Sequence, residues 1–196
     1  MFEKLSETIT NSLIINKTID SNDRELYCYG LKQGLTWLFN ILTMIAVGVL
    51  CGMLWQCIVF ISAYIPLRHY AGGYHAKTPI RCYLFSIVLI TVVLLVIKYV
   101  HWNIFIYGIL LLLSILCILV LSPVETANKP LDTLERKEYR KRTYWIVTVE
   151  ACITMITILI RNDSLSACFI MMFSDMSMML ILGTINNRIA RKELSD

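Results

Sequence analysis

Long apolar runs separated by short polar stretches dominate the sequence and predict its architecture. After a polar stretch at 20–23, most runs come near bilayer length, and they lie at 35–53, 54–67, 83–100, 102–121, 143–160 and 166–185. At about 1.5 Å per residue, a 20-residue helix crosses the ~30 Å hydrocarbon core. The second run is short and is expected to end at Pro66. The pattern predicts an all-α, polytopic integral membrane protein with about six transmembrane helices.

The N-terminal segment, 1–30, has a different pattern. Phe2, Leu5, Ile9 and Leu13 recur at steps of three and four, which places them on one face of an amphipathic helix. Such a helix lies either in the plane of the lipid headgroups or on the protein's own surface, and both readings stay open. Acidic residues stand where a signal peptide would be basic, so we expect no cleavage here.

Composition narrows the class of protein. Of 196 residues, 57% are hydrophobic and 16% charged, with a mean hydropathy of +0.66. Soluble domains are typically about 45–50% apolar. A soluble globular enzyme is therefore excluded, and 1–196 is predicted to be one integral membrane domain because no stretch remains for a separate soluble core.

The basic residues predict orientation rather than nucleic-acid binding. There are 18 Lys and Arg against 14 Asp and Glu, and no basic patch is interleaved with aromatic residues. With a cytoplasmic N-terminus, all basic residues except Lys98 and Arg161 lie on the inside. Both termini and the loops at 68–82 and 122–142 are therefore predicted to be cytoplasmic.

Cys82 is the first candidate for chemistry. The seven cysteines show no CxxC spacing and lie mostly in apolar runs, which argues against a disulfide framework. Thr78-Pro79 is typical of a helix N-cap followed by proline, which places Cys82 in the opening turn of a helix, where the thiolate is favoured. His75 is close enough in sequence to act as base toward the thiol and as acid toward a leaving amine. Gly72-Gly73, just before His75, permits backbone angles with positive φ and lets a substrate strand approach closely.

Other interpretations of this region stay open. A cysteine and a histidine seven residues apart occur often by chance, and a metal site built from His69, His75 and Cys82 lacks a fourth ligand. Arg68 is either a positive-inside anchor or a substrate contact.

Charges elsewhere in the chain have alternatives too. The basic stretch that follows Ser122–Pro130 would attract lipid phosphates or an acidic peptide. Asp175 is expected to face the bundle interior, because an ionised carboxylate at bilayer depth costs about 2.5–3.5 kcal/mol. Glu150 lies nearer the cytoplasmic end, where its carboxylate is able to snorkel to the surface.

Several of these residues together form a recognisable motif. Arg68-x6-His75-x6-Cys82 contains the segment Ala71–Lys77, and Pro123-x4-Asn128-Lys129-Pro130 follows after two further spans. The pattern resembles the accessory gene regulator B family of bacterial membrane cysteine peptidases. The resemblance extends over most of the chain.

The resemblance implies a function and a set of site residues. The family's peptidases remove the C-terminal tail of a short pheromone pro-peptide, hold the rest as a thioester and promote its closure to a thiolactone or lactone quorum-sensing signal. His75 and Cys82 match the catalytic pair, while Arg68, Gly72, Gly73 and Asp175 are supporting positions. Substrate-binding residues are expected at Lys77, Asn128, Lys129 and Pro130.

The expected partners and location follow from this resemblance. They are the pro-peptide and membrane lipid in a bacterial cell membrane, without nucleic acid, metal or cofactor, and a homodimer is left open. The alternative function is a small peptide permease or channel subunit in which Asp175, Glu150 and the basic loop line a pathway. Six spans without internal repeats argue against a secondary transporter.

Overall fold

The computed structural model describes residues 2–74, 76, 78–100, 103–125 and 131–193, and all the regular elements in these ranges are helical. An isolated parallel bridge joins Gly72 to Val124, and a short 3-10 turn spans Ser21–Asp23. The α-helices are α1 (Glu3–Ile15), α2 (Arg24–Leu50), α3 (Leu54–Ala71), α4 (Pro79–Tyr99), α5 (Ile104–Leu121), α6 (Thr133–Leu159) and α7 (Asp163–Glu193).

The helices confirm the predicted class of an α-helical membrane protein. The six apolar runs correspond in order to α2–α7. Within the described residues, four helical stretches are long and apolar enough to cross a membrane by themselves: Ser21–Leu50, Pro79–Tyr99, Thr133–Leu159 and Asp163–Ala190. Phe105–Leu121 is a shorter apolar helix, and α3 ends in polar residues.

The helix ends differ from the predicted segment ends because polar residues extend the helices beyond their apolar parts. The structure contradicts an end at Pro66, since α3 continues through this proline to Ala71. Neighbouring helices tolerate an internal proline in such bundles. At the other loop, α6 begins at Thr133, where Asp132 and Glu135 form a capping box. The connections predicted at 68–82 and 122–142 are therefore shorter, and Arg68 belongs to α3.

The chain divides into two compact units, Met1–Val47 and Gly48–Asp196, although whether they act as one domain stays a prediction. In the first unit, the predicted N-terminal helix is present as α1. Its buried positions are Ser6 and Thr10, and the ring of Phe2 packs edge-on against Phe39 of α2 at 5.6 Å. Leu5 is half exposed, which leaves an apolar side chain available to the headgroup region. Insertion of this face into lipid stays a prediction.

Helix α7 forms the core of the second unit. It packs against α3, α4, α5 and α6. The middle of α7 is buried, and its fully enclosed side chains are Cys168, Ile170, Met172, Phe173, Met176 and Leu180. Asp175 lies among these enclosed side chains and is itself buried inside the bundle.

Candidate functional site

Cys82 lies in the first turn of α4, as the capping pattern predicts. The Thr78 hydroxyl accepts a hydrogen bond from the Arg81 N–H at 3.4 Å, and Pro79 occupies the first turn. The Cys82 N–H donates to the Thr78 carbonyl at 3.1 Å. Its thiol is free and only partly buried. A sulfur atom in this position is accessible and lies near the positive end of the helix dipole.

Two glycines turn the chain immediately after α3. Gly72 has φ +75° and Gly73 has φ +121°, values that residues with a Cβ atom rarely adopt. The Val124 N–H donates to the Ala71 carbonyl at 2.9 Å, and a Cβ on Gly72 would overlap the Val124 carbonyl oxygen. The segment after α5 is thereby fixed against this turn, which is called the glycine turn below and comprises residues 72–74.

The same turn is anchored on α7. The Tyr74 N–H donates to the Met179 carbonyl at 2.9 Å. Gly183, one helical turn further along, leaves room for the backbone of Gly73 and Tyr74, since a Cβ there would lie 2.7 Å from both. Gly183 was not identified from the sequence. A glycine in a predicted span is the signal that marks such a close backbone approach.

Arg68 stabilises this turn from the last part of α3. Its guanidinium donates to the Gly72 carbonyl at 2.6 Å and also to the Tyr74 carbonyl. Both bonds involve a charged donor, which makes them stronger than neutral hydrogen bonds. The side chain therefore holds the chain on both sides of Gly73, and a role beyond a topological anchor is supported.

Asp175 is 5% exposed and faces the bundle interior, as its insertion cost predicts. It is hydrogen-bonded to the Tyr64 side chain, and Arg68 interacts with it electrostatically. Its Oδ2 atom has no hydrogen-bond partner among the described residues. Asp175 thus has a carboxylate oxygen without a described hydrogen-bond partner inside the bundle.

Tyr64 is a second residue of this site, after Gly183, that the sequence reasoning missed. Its phenol lies close enough to Asp175, Arg68 and Cys82 to interact electrostatically with all three. It stands four residues before Arg68, so both side chains project from the same face of α3. That spacing was a usable signal. Helix α3 therefore contributes two polar side chains beside the Cys82 thiol.

The remaining predicted site residues lie outside the described residues. They are His75, Lys77, Asn128, Lys129 and Pro130. His69, which precedes the glycine turn, is exposed and packs its ring against Tyr70 and Tyr139. Among the described residues, no group of three or more His, Cys, Asp or Glu side chains is placed to hold a metal ion.

Glu150 does not reach the surface by snorkelling. It lies in the middle of α6, is 7% exposed, and its Oε2 atom lacks a hydrogen-bond partner in the described part of the chain. Fully buried Thr154 donates its hydroxyl to the Glu150 carbonyl at 2.7 Å. The inward side of α6 is thus more polar than the apolar pattern of the sequence suggests.

The chain is similar in sequence to proteins of several bacteria. An AgrB-like protein of Clostridium perfringens strain SM101 is 24% identical over 82% of this chain and 78% of its own. Protein FsrB of Enterococcus faecalis is 30% identical over 71% of this chain and 57% of its own. Accessory gene regulator protein B of Staphylococcus aureus strain Newman is 31% identical over 49% of both chains. No solved structure matches.

The family comparison covers both compact units. The family model described as Accessory gene regulator B matches residues 6–182, which include Tyr64, the glycine turn, Cys82 and Asp175. By this match the chain belongs to the accessory gene regulator B family and is a membrane protein of quorum-sensing regulation.

Proposed function

We propose that this protein is a membrane cysteine endopeptidase that removes the C-terminal tail of a short pheromone pro-peptide. Cys82 retains the N-terminal part as a thioester and passes it to a side chain of the same peptide, which closes a thiolactone or lactone ring. The product is a quorum-sensing signal, in keeping with the family to which the chain belongs.

The position of Cys82 carries this proposal. Among the seven free cysteines, Cys57 and Cys168 are buried in the bundle, whereas Cys82 is partly exposed at a helix N-terminus. It is also the cysteine next to the interacting group of Tyr64, Arg68 and Asp175. A nucleophile needs access to substrate and polar neighbours that stabilise charge, and this thiol has both.

His75 is proposed as the base and acid of the reaction. It follows Tyr74 directly, and the Tyr74 N–H is bonded to Met179, one helical turn from Asp175 on α7. His75 is therefore one peptide unit from Tyr74, which is held on α7 near Asp175. We infer that the unpaired Oδ2 of Asp175 accepts a hydrogen bond from the imidazole and orients it, as carboxylates do in catalytic triads.

The reaction has two acyl-transfer steps. In the first, His75 takes the Cys82 proton, the sulfur attacks the scissile carbonyl carbon, and the C–N bond breaks as His75 returns the proton to the leaving amine. In the second, a thiol or hydroxyl of the retained peptide attacks the thioester carbon and gives its proton to His75. The C–S bond to Cys82 breaks, and His75 returns that proton to the Cys82 sulfur. Ring closure exchanges the thioester to Cys82 for a thioester or ester within the peptide, so this step needs no cofactor.

Binding and location complete the proposal. Lys77, Asn128, Lys129 and Pro130 are proposed to contact the pro-peptide. The site is proposed to face the cytoplasm of a bacterial cell, where a reducing environment keeps the Cys82 thiol free. Both chain termini are proposed to lie on the same side.

The test is intact mass spectrometry of the membrane-embedded enzyme incubated with pro-peptide. We expect an acyl adduct that maps to Cys82 and is released by hydroxylamine. Cys82→Ala and His75→Ala should each abolish processing, and the double variant should be no worse than either. Cys82→Ser should be nearly as damaging, because a hydroxyl is a weaker nucleophile.

Two matched controls separate catalysis from damage to the fold. Cys152→Ala removes an exposed thiol and His69→Ala removes an exposed histidine, and both should process normally. An adduct on another cysteine, or full processing by Cys82→Ala, would contradict the proposal. Peptide transport that tolerates Cys82→Ser but is lost in Asp175→Asn would favour the permease alternative.

A further inference from the structure

The N-terminal part of α6 has more positive charge than its acidic neighbours neutralise. Arg136 pairs with Glu125 at 3.1 Å, and Arg142 pairs with Glu138 at 2.9 Å. Lys137 and Lys141 form no ion pair within the described part of the chain. Lys137 directly follows the paired Arg136, and Lys141 directly precedes the paired Arg142. Both lysines are free to bind an anion.

An open groove lies at these two lysines. It has a volume of about 520 Å³ and is lined by Lys137, Arg140, Lys141, Tyr144, Trp145 and Thr148. The Arg140 guanidinium stands 5.9 Å from the centre of the Tyr144 ring, and Trp145 is 66% exposed. Basic residues above exposed Tyr and Trp are typical of the membrane interface.

A second groove continues from the first one along α6. It has a volume of about 760 Å³, lies between α5 and α6, and has an apolar lining that includes Leu119, Ala151, Met155 and Ile156. Tyr144 and Thr148 line both grooves and so join them. The Tyr144 hydroxyl donates to the Leu119 carbonyl at 3.2 Å, which holds the two helices together at the junction.

The shape and chemistry fit an amphipathic anion with a long apolar tail. From Thr148 to Ile156 the helix rises about 12 Å, close to the ~15 Å that one leaflet contributes to the hydrocarbon core. Three cations line the first groove, and mostly apolar side chains line the second. We propose that the joined grooves bind one anionic phospholipid, with its phosphate at Lys137, Arg140 and Lys141 and an acyl chain along Ala151 and Ile156.

The first test is native mass spectrometry of the whole protein in a mixture of phosphatidylglycerol and phosphatidylcholine. We expect retained phosphatidylglycerol. The variant Lys137→Gln/Arg140→Gln/Lys141→Gln should lower this retention roughly a hundredfold, since each basic residue near an anionic surface contributes about fivefold. Lys4→Gln/Lys17→Gln/Arg188→Gln removes equal charge elsewhere and should change retention much less. Equal loss in both variants, or equal retention of both lipids, would refute the site.

The second test follows the acyl chain and does not require the triple variant to fold. Trp145 is kept as the single tryptophan in a Trp37→Phe/Trp55→Phe/Trp102→Phe background, reconstituted in nanodiscs with a small fraction of brominated phosphatidylglycerol. Brominated phosphatidylglycerol should quench the Trp145 fluorescence more strongly than the same fraction of brominated phosphatidylcholine does. Ala151→Phe fills the apolar groove and should remove the excess, whereas Ala190→Phe, at an exposed position of α7, should not. The proposal would be overturned if Ala151→Phe left the stronger quenching by brominated phosphatidylglycerol unchanged. It would also be overturned if an apolar peptide, but not unlabelled lipid, abolished that stronger quenching.

Discussion

Gly183 of α7 lies directly against the peptide backbone of Gly73. A Cβ on Gly183 would stand 2.7 Å from the carbonyl carbon of Gly73 and from the amide nitrogen of Tyr74. Because backbone atoms cannot yield as a flexible side chain does, this contact fixes the distance between α7 and the glycine turn. The contact joins the part of the chain that precedes Cys82 to the helix that carries Asp175.

Gly183→Ala should displace the glycine turn. We expect a loss of about 1–3 kcal/mol of stability from overpacking, together with a large loss of pro-peptide processing. Thermal unfolding in detergent and a processing assay measure the two effects. Gly108→Ala is the matched control, since nothing lies within 4 Å of a Cβ at that helical position. An unchanged unfolding temperature for Gly183→Ala would contradict the close contact.

Arg68→Lys should fail to replace arginine. The guanidinium donates to two carbonyls, those of Gly72 and Tyr74, through a planar and rigid fork. An ammonium group has three donors, but they radiate from one atom on a flexible chain and do not reproduce this fork. We expect faster proteolysis at the turn and processing reduced at least tenfold. Limited proteolysis of the membrane-embedded protein measures the first effect. Arg81→Lys provides the control at an exposed position, and equal protease resistance of both variants would disprove the clamp.

Tyr64→Phe should impair processing through Asp175. The substitution keeps the ring and removes the hydroxyl that bonds the carboxylate. Asp175→Asn keeps the shape and removes the charge. If both residues act as one unit, the double variant should be about as slow as the worse single one. Tyr27→Phe, at a half-exposed site, serves as control. Strictly additive losses, or normal processing and accumulation of Asp175→Asn, would refute the coupling.

Labelling of introduced cysteines tests the predicted orientation. Lys77→Cys and Lys137→Cys, in a background without the native cysteines, should resist an impermeant thiol reagent applied to intact cells. Lys98→Cys and Arg161→Cys should react, because these two positions are predicted to face outward. The positive-inside distribution of basic residues is the physical reason. Modification of Lys77→Cys or Lys137→Cys by the reagent outside intact cells would contradict the proposed topology.

The sequence predicted the helical class and the opening turn of α4 well, because both depend on local patterns. Apolar run length predicts a span, and Thr78-Pro79 specifies a cap, whatever the rest of the chain does. It predicted helix ends poorly. Pro66 does not end α3, and the charged stretch before residue 143 is helical, since hydropathy reports the apolar part of a helix alone.

The contacts between helices could not be predicted in this way. The insertion cost of Asp175 indicated that it faces inward, but it did not identify Tyr64 as the partner. The proximity of Gly183 to Gly73 joins positions more than a hundred residues apart, and a single sequence contains no signal for that pairing. The resemblance supplied Arg68 as a supporting position, and its two carbonyl partners became visible only with the fold.

The glycine turn has few unused main-chain hydrogen-bonding groups. The N–H of Gly72 is donated to the Arg68 carbonyl, the N–H of Tyr74 is donated to Met179, and the carbonyls of both residues accept from the Arg68 side chain. A peptide that adds itself to a protein as an extra strand needs a row of free N–H and C=O groups. This turn offers no such edge. A peptide bound here must therefore be recognised by its side chains, so that selectivity depends on its sequence rather than on an extended conformation.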